Sequence, residues 1–247
     1  MKFLDLHIKG SDHDKDLRLL LEASRLGYDG AALIYPSTKY RELRETAEKL
    51  RNNSDLDLEV ATGVMIDAGN PSEMRRAVNR FRGRVDIIHV SGGDLKINRA
   101  ACENSRVDVL SAPYASRRDA GINHVLAREA ARNSVAVELR LRDVIGSWLK
   151  VRARILEYFR DIIKLHRKFG FPLALTSGAS TIYDLRRPRD IINFTGCFGL
   201  REEEAIAALT STPWSILEYN RRRPMMIAEG VVLLDSDGRE GSPGGSR

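Results

Sequence analysis

The chain has 247 residues, 43% of them apolar and 30% charged, with a formal charge of +6 and an isoelectric point near 9.4. That length suits one barrel-sized domain with a sizeable core, and the composition excludes a disordered or fibrous chain. No apolar run approaches the roughly 18 residues of a membrane span, and residues 1–10 hold no charged-then-apolar leader, so a cytoplasmic protein is expected and not a secreted or membrane one.

Read along the chain, short apolar runs alternate with helical patterns. Residues 3–8 form the first predicted strand; a helix over 14–26 follows, with Leu17, Leu20 and Leu21 on one face and Gly27 as its stop. A strand over 31–34 precedes a helix over 39–50 that sets Leu43, Ala47 and Leu50 at helical spacing. After a strand over 58–65, Pro71 opens the next helix, at a position where a missing N–H costs nothing. Strands over 85–90, 107–110 and 135–139 come next, with Cys102 in a helical stretch between the first two. The longest helix covers 149–169, with Ile155, Leu156, Phe159, Ile162, Ile163 and His166 as its inner stripe, ended by Gly170 and Pro172. The seventh strand covers 173–176. Beyond it, 189–198 and 201–219 read as helical, with Pro213 expected to divide the second stretch, and 231–234 as a last short strand. The Gly-, Ser- and Pro-rich tail, 236–247, is expected to be disordered.

Most of these strands are apolar on successive residues, as strands buried on both faces are, and their spacing matches one βα unit. The fold class is therefore α/β: a TIM-like (β/α) barrel of about seven parallel strands with irregular closure near its C-terminus, one domain over 1–235. An open doubly wound sheet is the alternative, disfavoured because neither standard glycine-rich phosphate loop occurs. The two cysteines, Cys102 and Cys197, match no C-x-x-C spacing and read as reduced core thiols.

In a parallel barrel, chemistry sits at the C-terminal strand ends. Asp5, His7, His89, His124 and Glu138 fall at or after such ends and are residue types that ligate a metal for phosphoester hydrolysis. That neighbourhood resembles the polymerase-and-histidinol-phosphatase barrels, which carry His-x-His on strand one and Asp-x-His late in the chain. Here the first reads His7-Ile8-Lys9 and the second Thr176-Ser177-Gly178-Ala179. An ammonium has no lone pair to give, and the later run holds neither carboxylate nor imidazole. No catalytic or metal-binding residue is therefore expected, and His7 and His89 read as hydrogen-bonded histidines of the barrel mouth. Basic side chains, by contrast, recur after strands two, four, five, six and seven, interleaved with Tyr114, Asn123, His124 and hydroxyls, the donors that phosphate oxygens take. Arginine supplies most of this charge, and its planar fork suits phosphate. A further run, Arg221–Arg222–Arg223, follows the last helix, where cations also complement the helix dipole.

The segment SRRDAGINHVLAREAARNSVAVEL at 116–139, with TSGAS at 176–180 and DLRRPRDII at 184–192, resembles the ribonuclease P protein component 3 family, which includes the eukaryotic thirty-kilodalton subunit. The likeness runs from about residue 3 to 234. It implies a TIM-like barrel that serves as an RNA-binding subunit of the endonuclease removing 5′ leaders from precursor tRNA. The catalytic RNA would perform the chemistry with Mg2+ held by RNA, and the protein would bind no cofactor. The implied partners are that RNA, precursor tRNA through the holoenzyme, protein component 2 directly, and the other protein components, without a membrane. The residues expected at the RNA are Lys39, Lys96, Arg99, Arg117, Arg118, His124, Ser177, Arg186 and Arg187. Asn123 and Asp190 are expected to support them, Asp190 as a helix-start carboxylate paired with an arginine. The metal-dependent phosphoesterase is the alternative function.

Overall fold

Seven apolar runs, rich in aliphatic and β-branched side chains, become seven parallel strands in the computed structural model, which describes residues 1–51, 53–223, 226–228 and 231–232. They are β1 Leu4–Lys9, β2 Gly30–Pro36, β3 Glu59–Ile66, β4 Ile87–Ser91, β5 Val109–Ser111, β6 Ala136–Arg140 and β7 Leu173–Thr176, hydrogen-bonded in sequence order. Between and after them run α1 His13–Arg25, α2 Tyr40–Arg51, α3 Pro71–Phe81, α4 Leu95–Cys102, α5 His124–Arg132, α6 Leu141–Ile145 and α7 Leu149–Phe169, then α8 Pro188–Thr195, α9 Glu202–Leu209 and α10 Ser211–Arg222. This is the expected TIM-like barrel, nearly closed, with one unsealed seam. None of the helices among the described residues is long and apolar enough to cross a membrane.

Local chemistry fixes where the helices begin. Asp12, Asn70, Asp94 and Asn123 each cap the helix that follows, their side-chain oxygens accepting backbone N–H groups of the first turn. Alternate strand residues then sort into two apolar layers. Leu4, Leu6, Ala32, Ile34, Ala61, Ile87, Val109, Ala136 and Ala174 fill the barrel, while Leu33, Val64, Ile88, Leu110, Val137 and Leu175 face the helices. An irregular register between Asp5 and Ile8 lets His7 turn inward after Leu6.

The seam lies between β1 and β7, joined at a single bridge, Ile8 to Ala179, where Lys9 N–H donates to Ala179 O at 2.7 Å. Asp5 adds side-chain stitches, its Oδ1 accepting the N–H of His7 (3.0 Å) and of Ser177 (3.2 Å). The opposite, N-terminal end is stoppered by α10. Leu217 reaches the barrel interior, Trp214 packs beside it and donates its ring N–H to Lys2 O, and Arg221 pairs with Asp86 (3.2 Å) and Glu59 (2.8 Å). Arg221 thus ties the plug to the barrel floor, a tertiary role beyond complementing a helix dipole.

Two expectations need correction, and a third is met over the residues described. The chain between α9 and α10 breaks at Thr210 (φ −126°, ψ −86°), and Pro213 sits buried in the first turn of α10, where proline is tolerated. Of the strand expected over 231–234, Val231–Val232 (β9) pairs antiparallel with Met226–Ala228 (β8), outside the barrel sheet; residues 233–234 and the tail 236–247 lie outside the described residues. Cys102 is a buried thiol as expected, but Cys197 is exposed.

Candidate nucleic-acid interface and the closed barrel mouth

At the C-terminal ends of β1, β4 and β6, His7, His89 and Glu138 meet, one donor atom of each within 4.8 Å of the others. Glu138 is fully buried with both oxygens engaged. Oε1 accepts from Thr176 Oγ1 (2.6 Å) and meets His7 Nδ1 (2.7 Å), and Oε2 accepts from the Ser111 hydroxyl. Burial works against its charge, but His7, His89 and Arg140 outweigh burial and hold the carboxyl well below the usual carboxylate range. Burial, then the neighbouring His7, pushes His89 down to about 3, so its imidazole is neutral at pH 7. His7 is the hydrogen-bonded histidine expected. His89 is not: its ring nitrogens have no hydrogen-bond partner among the described residues, and the Leu6 backbone acts on the ring only from outside hydrogen-bond geometry.

The three donors match a cation site in type and spacing. Hydrolysis at a metal also needs an open coordination position reached by substrate. These residues are 0–5% exposed, and the other two ligand types expected here lie elsewhere, Asp5 in the seam and His124 exposed at the start of α5. Burial pushes Asp5 up to about 6, against the hydrogen bonds from Ser177 and His7. Arg140, two residues beyond Glu138 at the end of β6, lies near enough to act on both Glu138 and His89. Its stem crosses Gly178, whose φ of +61° favours glycine and where an added Cβ would come within 2.4 Å of Arg140 Cγ. Its head is fixed by Asp143 (2.9 Å), which also accepts from the Tyr114 hydroxyl (2.8 Å). Tyr114 is therefore a buried brace and not a surface donor. A cavity of about 870 Å³ opens at the other end of the molecule, between the starts of β5–β7 and α9–α10.

Around this closed mouth the strand-following loops form a rim. Lys96, Arg118, His124, Arg186 and Arg187 are exposed there, as is Asn123, whose side chain caps α5. The side chains of Arg118 and Arg187 make no hydrogen bond or ion pair among the described residues. Lys39 pairs with Glu42 at 3.2 Å, and Arg186 donates to the carbonyls of Tyr183 and Leu185 at 2.6 Å. Arg117 is held more firmly: both its Nε and Nη2 reach Asp119 (2.6 and 2.8 Å), and Nη1 reaches Gly93 O. Arg99 lies back from the rim, in the last turn of α4, paired with Glu103 at 2.7 Å. Ser177 is a correction. It is 1% exposed, its N–H serves Asp5 and its hydroxyl serves the His7 carbonyl and the Ala179 N–H, so it braces the seam and cannot meet a ligand on the surface. Asp190 stands exposed in the first turn of α8 as expected, without the arginine partner expected for it among the described residues.

Asn98, absent from the expected set, organises the rim. Fully buried, it donates to Pro113 O (2.9 Å) and Gly121 O (2.8 Å) and accepts from Gly93 N (3.0 Å), clamping the loops after β4 and β5 together. The signal in the sequence was an amide between Ile97 and Ala100 on an otherwise apolar helix face.

Comparison with known proteins gives a consistent picture. A family model described as RNase P subunit p30 matches residues 2–224. Ribonuclease P protein component 3 of Methanothermobacter thermautotrophicus is 68% identical over 235 residues, covering 95% of this chain and 96% of that one. That of Methanococcoides burtonii is 35% identical over 232 residues, covering 94% and 93%. A chain in a cryo-EM structure of archaeal ribonuclease P with mature tRNA superposes with a TM-score of 0.77 at 30% identity, covering 95% of this chain and 99% of that one. A Xaa-Pro dipeptidase, at 9% identity and a TM-score of 0.54 over 90% and 76%, shares the fold alone.

Proposed function

Because the chain belongs to the RNase P subunit p30 family and is thereby a protein subunit of ribonuclease P, we propose that it binds the RNA of that enzyme through the rim at the C-terminal ends of its strands. The carrying observation is the contrast between mouth and rim. Inside the mouth His7, Ser111, Glu138 and Thr176 are buried and bonded to one another, with His89 sealed in beside them, whereas Lys96, Arg118, His124, Arg186 and Arg187 stand exposed on loops that share one face. Such donors neutralise phosphates brought together when a catalytic RNA folds, and they release counterions in doing so. The chemistry at the 5′ leader of precursor tRNA then belongs to the RNA and its Mg2+, and this chain contributes neither a general acid nor a nucleophile. In this reading Lys39, Arg117 and Asn123 hold the rim in shape, and Arg118 and Arg187 carry phosphate contacts. Protein component 2 is the expected direct partner, within an assembly working in the cytoplasm.

Reconstitution tests this. With the catalytic RNA and the other protein components, adding the chain should increase precursor-tRNA cleavage at limiting Mg2+. Arg118→Ala and Arg187→Ala should each lower the slope of log affinity against log salt by about one. Cleavage indifferent to the chain would remove the reading, and unchanged salt slopes would remove these two residues from it.

A further inference from the structure

Helix α7 begins before the barrel can cover it. Residues 149–154 include no buried side chain, and packing against the core starts at Ile155 and Leu156. At 1.5 Å per residue this leaves roughly 9 Å of helix above the body of the protein. Its lower part is anchored beside the rim, where the Tyr158 hydroxyl donates to Arg117 O at 3.0 Å. The free tip is apolar, with Trp148 77% exposed, Leu149 87% and Val151 56%.

The tip is also rigid. Arg152 donates to three carbonyls of the preceding turn, Val144 (3.0 Å), Ser147 (2.8 Å) and Ile145 (3.3 Å), and its guanidinium lies over the Trp148 ring, 5.8 Å from the centroid. Leu149 adopts a φ of +44°, a conformation unfavourable for a side chain with a Cβ, and its side chain gains no burial in return. An indole is thus backed on one face, open on the other, and held out in solvent by a strained turn. Arg152 backs the ring, Lys150 and Arg154 stand exposed in the first two turns of the same helix, and the first turn carries no acidic residue. An apolar protein surface docking there would have to desolvate these cations. A nucleotide offers a flat apolar base and an anionic phosphate together, which matches both halves of the patch.

We propose that Trp148 is a stacking platform for an unpaired nucleotide of the bound RNA, with Lys150 and Arg154 taking the adjoining phosphates and Leu149 and Val151 flanking the base. The proposal rests on the RNA-binding reading above and adds a contact that does not depend on charge. That independence supplies the test. Binding of the catalytic RNA to the full chain is measured across a salt series for wild type, Trp148→Phe and Trp148→Ala. One lost stack should weaken Trp148→Ala by roughly 5- to 150-fold with an unchanged salt slope, and Trp148→Phe should keep most of the affinity. Fluorescence gives a second readout, since the chain has two tryptophans and Trp214 lies at the opposite end. RNA should quench wild type and leave Trp148→Phe largely unquenched.

An unchanged affinity in Trp148→Ala overturns the proposal. So does loss of binding to the other protein subunits with RNA affinity intact, which would make the tip a protein interface. If wild type binds no RNA, the broader reading falls with it. If wild type binds and the Arg118 and Arg187 variants flatten the slope while Trp148→Ala is silent, the stacking platform alone falls. Thermal melting of each variant confirms the fold, which a residue this exposed should leave intact.

Discussion

Asp5→Asn should gain stability relative to wild type as the pH rises from 4 to 7. Asp5 is fully buried at the seam, and burial raises its pKa from 3.8 to about 6, although hydrogen bonds from Ser177 and His7 pull the other way. The folded chain therefore holds this proton more tightly than the unfolded chain does. The resulting contribution to stability is fully present below about pH 4 and is lost as pH rises through 6. A gap of about two pKa units corresponds to about 3 kcal/mol. Asparagine has no charge to bury and keeps one oxygen to accept the N–H groups of His7 and Ser177. The stability of Asp5→Asn relative to wild type should thus climb by up to about 3 kcal/mol between pH 4 and 7 and level off above. Urea denaturation followed by circular dichroism over pH 4–8 measures this directly. The offset at pH 4 reports the seam hydrogen bonds changed by the substitution, and the climb reports the buried charge. Glu138 and His89 do not enter the difference, because their pKa values lie below that window. A difference that stays flat or falls across pH 4–7 would refute the reasoning.

Two further outcomes follow from burial and backbone geometry. Only one of the two thiols should react with a disulfide reagent in the folded protein: Cys197 is exposed, whereas burial pushes Cys102 up to about 12, and the second should titrate only after denaturation. Gly121→Ala should cost about 2–4 kcal/mol in urea melts, because φ is +69° and the new Cβ would lie 1.8 Å from Pro113 O. The same change should weaken RNA binding through the Asn98-clamped loop; normal stability in this variant would show that the loop is less constrained than the contacts imply.

The seven strands and the long helix α7 were legible because their signals are local. An apolar run buried on both faces, an apolar stripe at helical spacing, and Gly170 followed by Pro172 act on near neighbours along the chain, so residues 149–169 were bounded correctly from the sequence pattern alone. Pro213 misled because proline breaks a helix interior but is accepted in a first turn, and which applies depends on where Thr210 bends the chain. The site was harder. Arg117 and Arg118 are adjacent and identical in sequence terms, yet Asp119 and Gly93 hold the first while the second is left to solvent. Ser177 looked like a rim hydroxyl until the seam placed Asp5 against its N–H, 172 positions away in the chain. The sequence by itself determined the barrel and the concentration of arginine at its strand ends, because periodicity and turn chemistry are short-range. Only the tertiary structure decided which of those cations are spent on bracing, that the histidine–glutamate mouth is shut, and that Trp148 stands in the open. Each of those depends on contacts between strands and loops that sequence spacing does not encode.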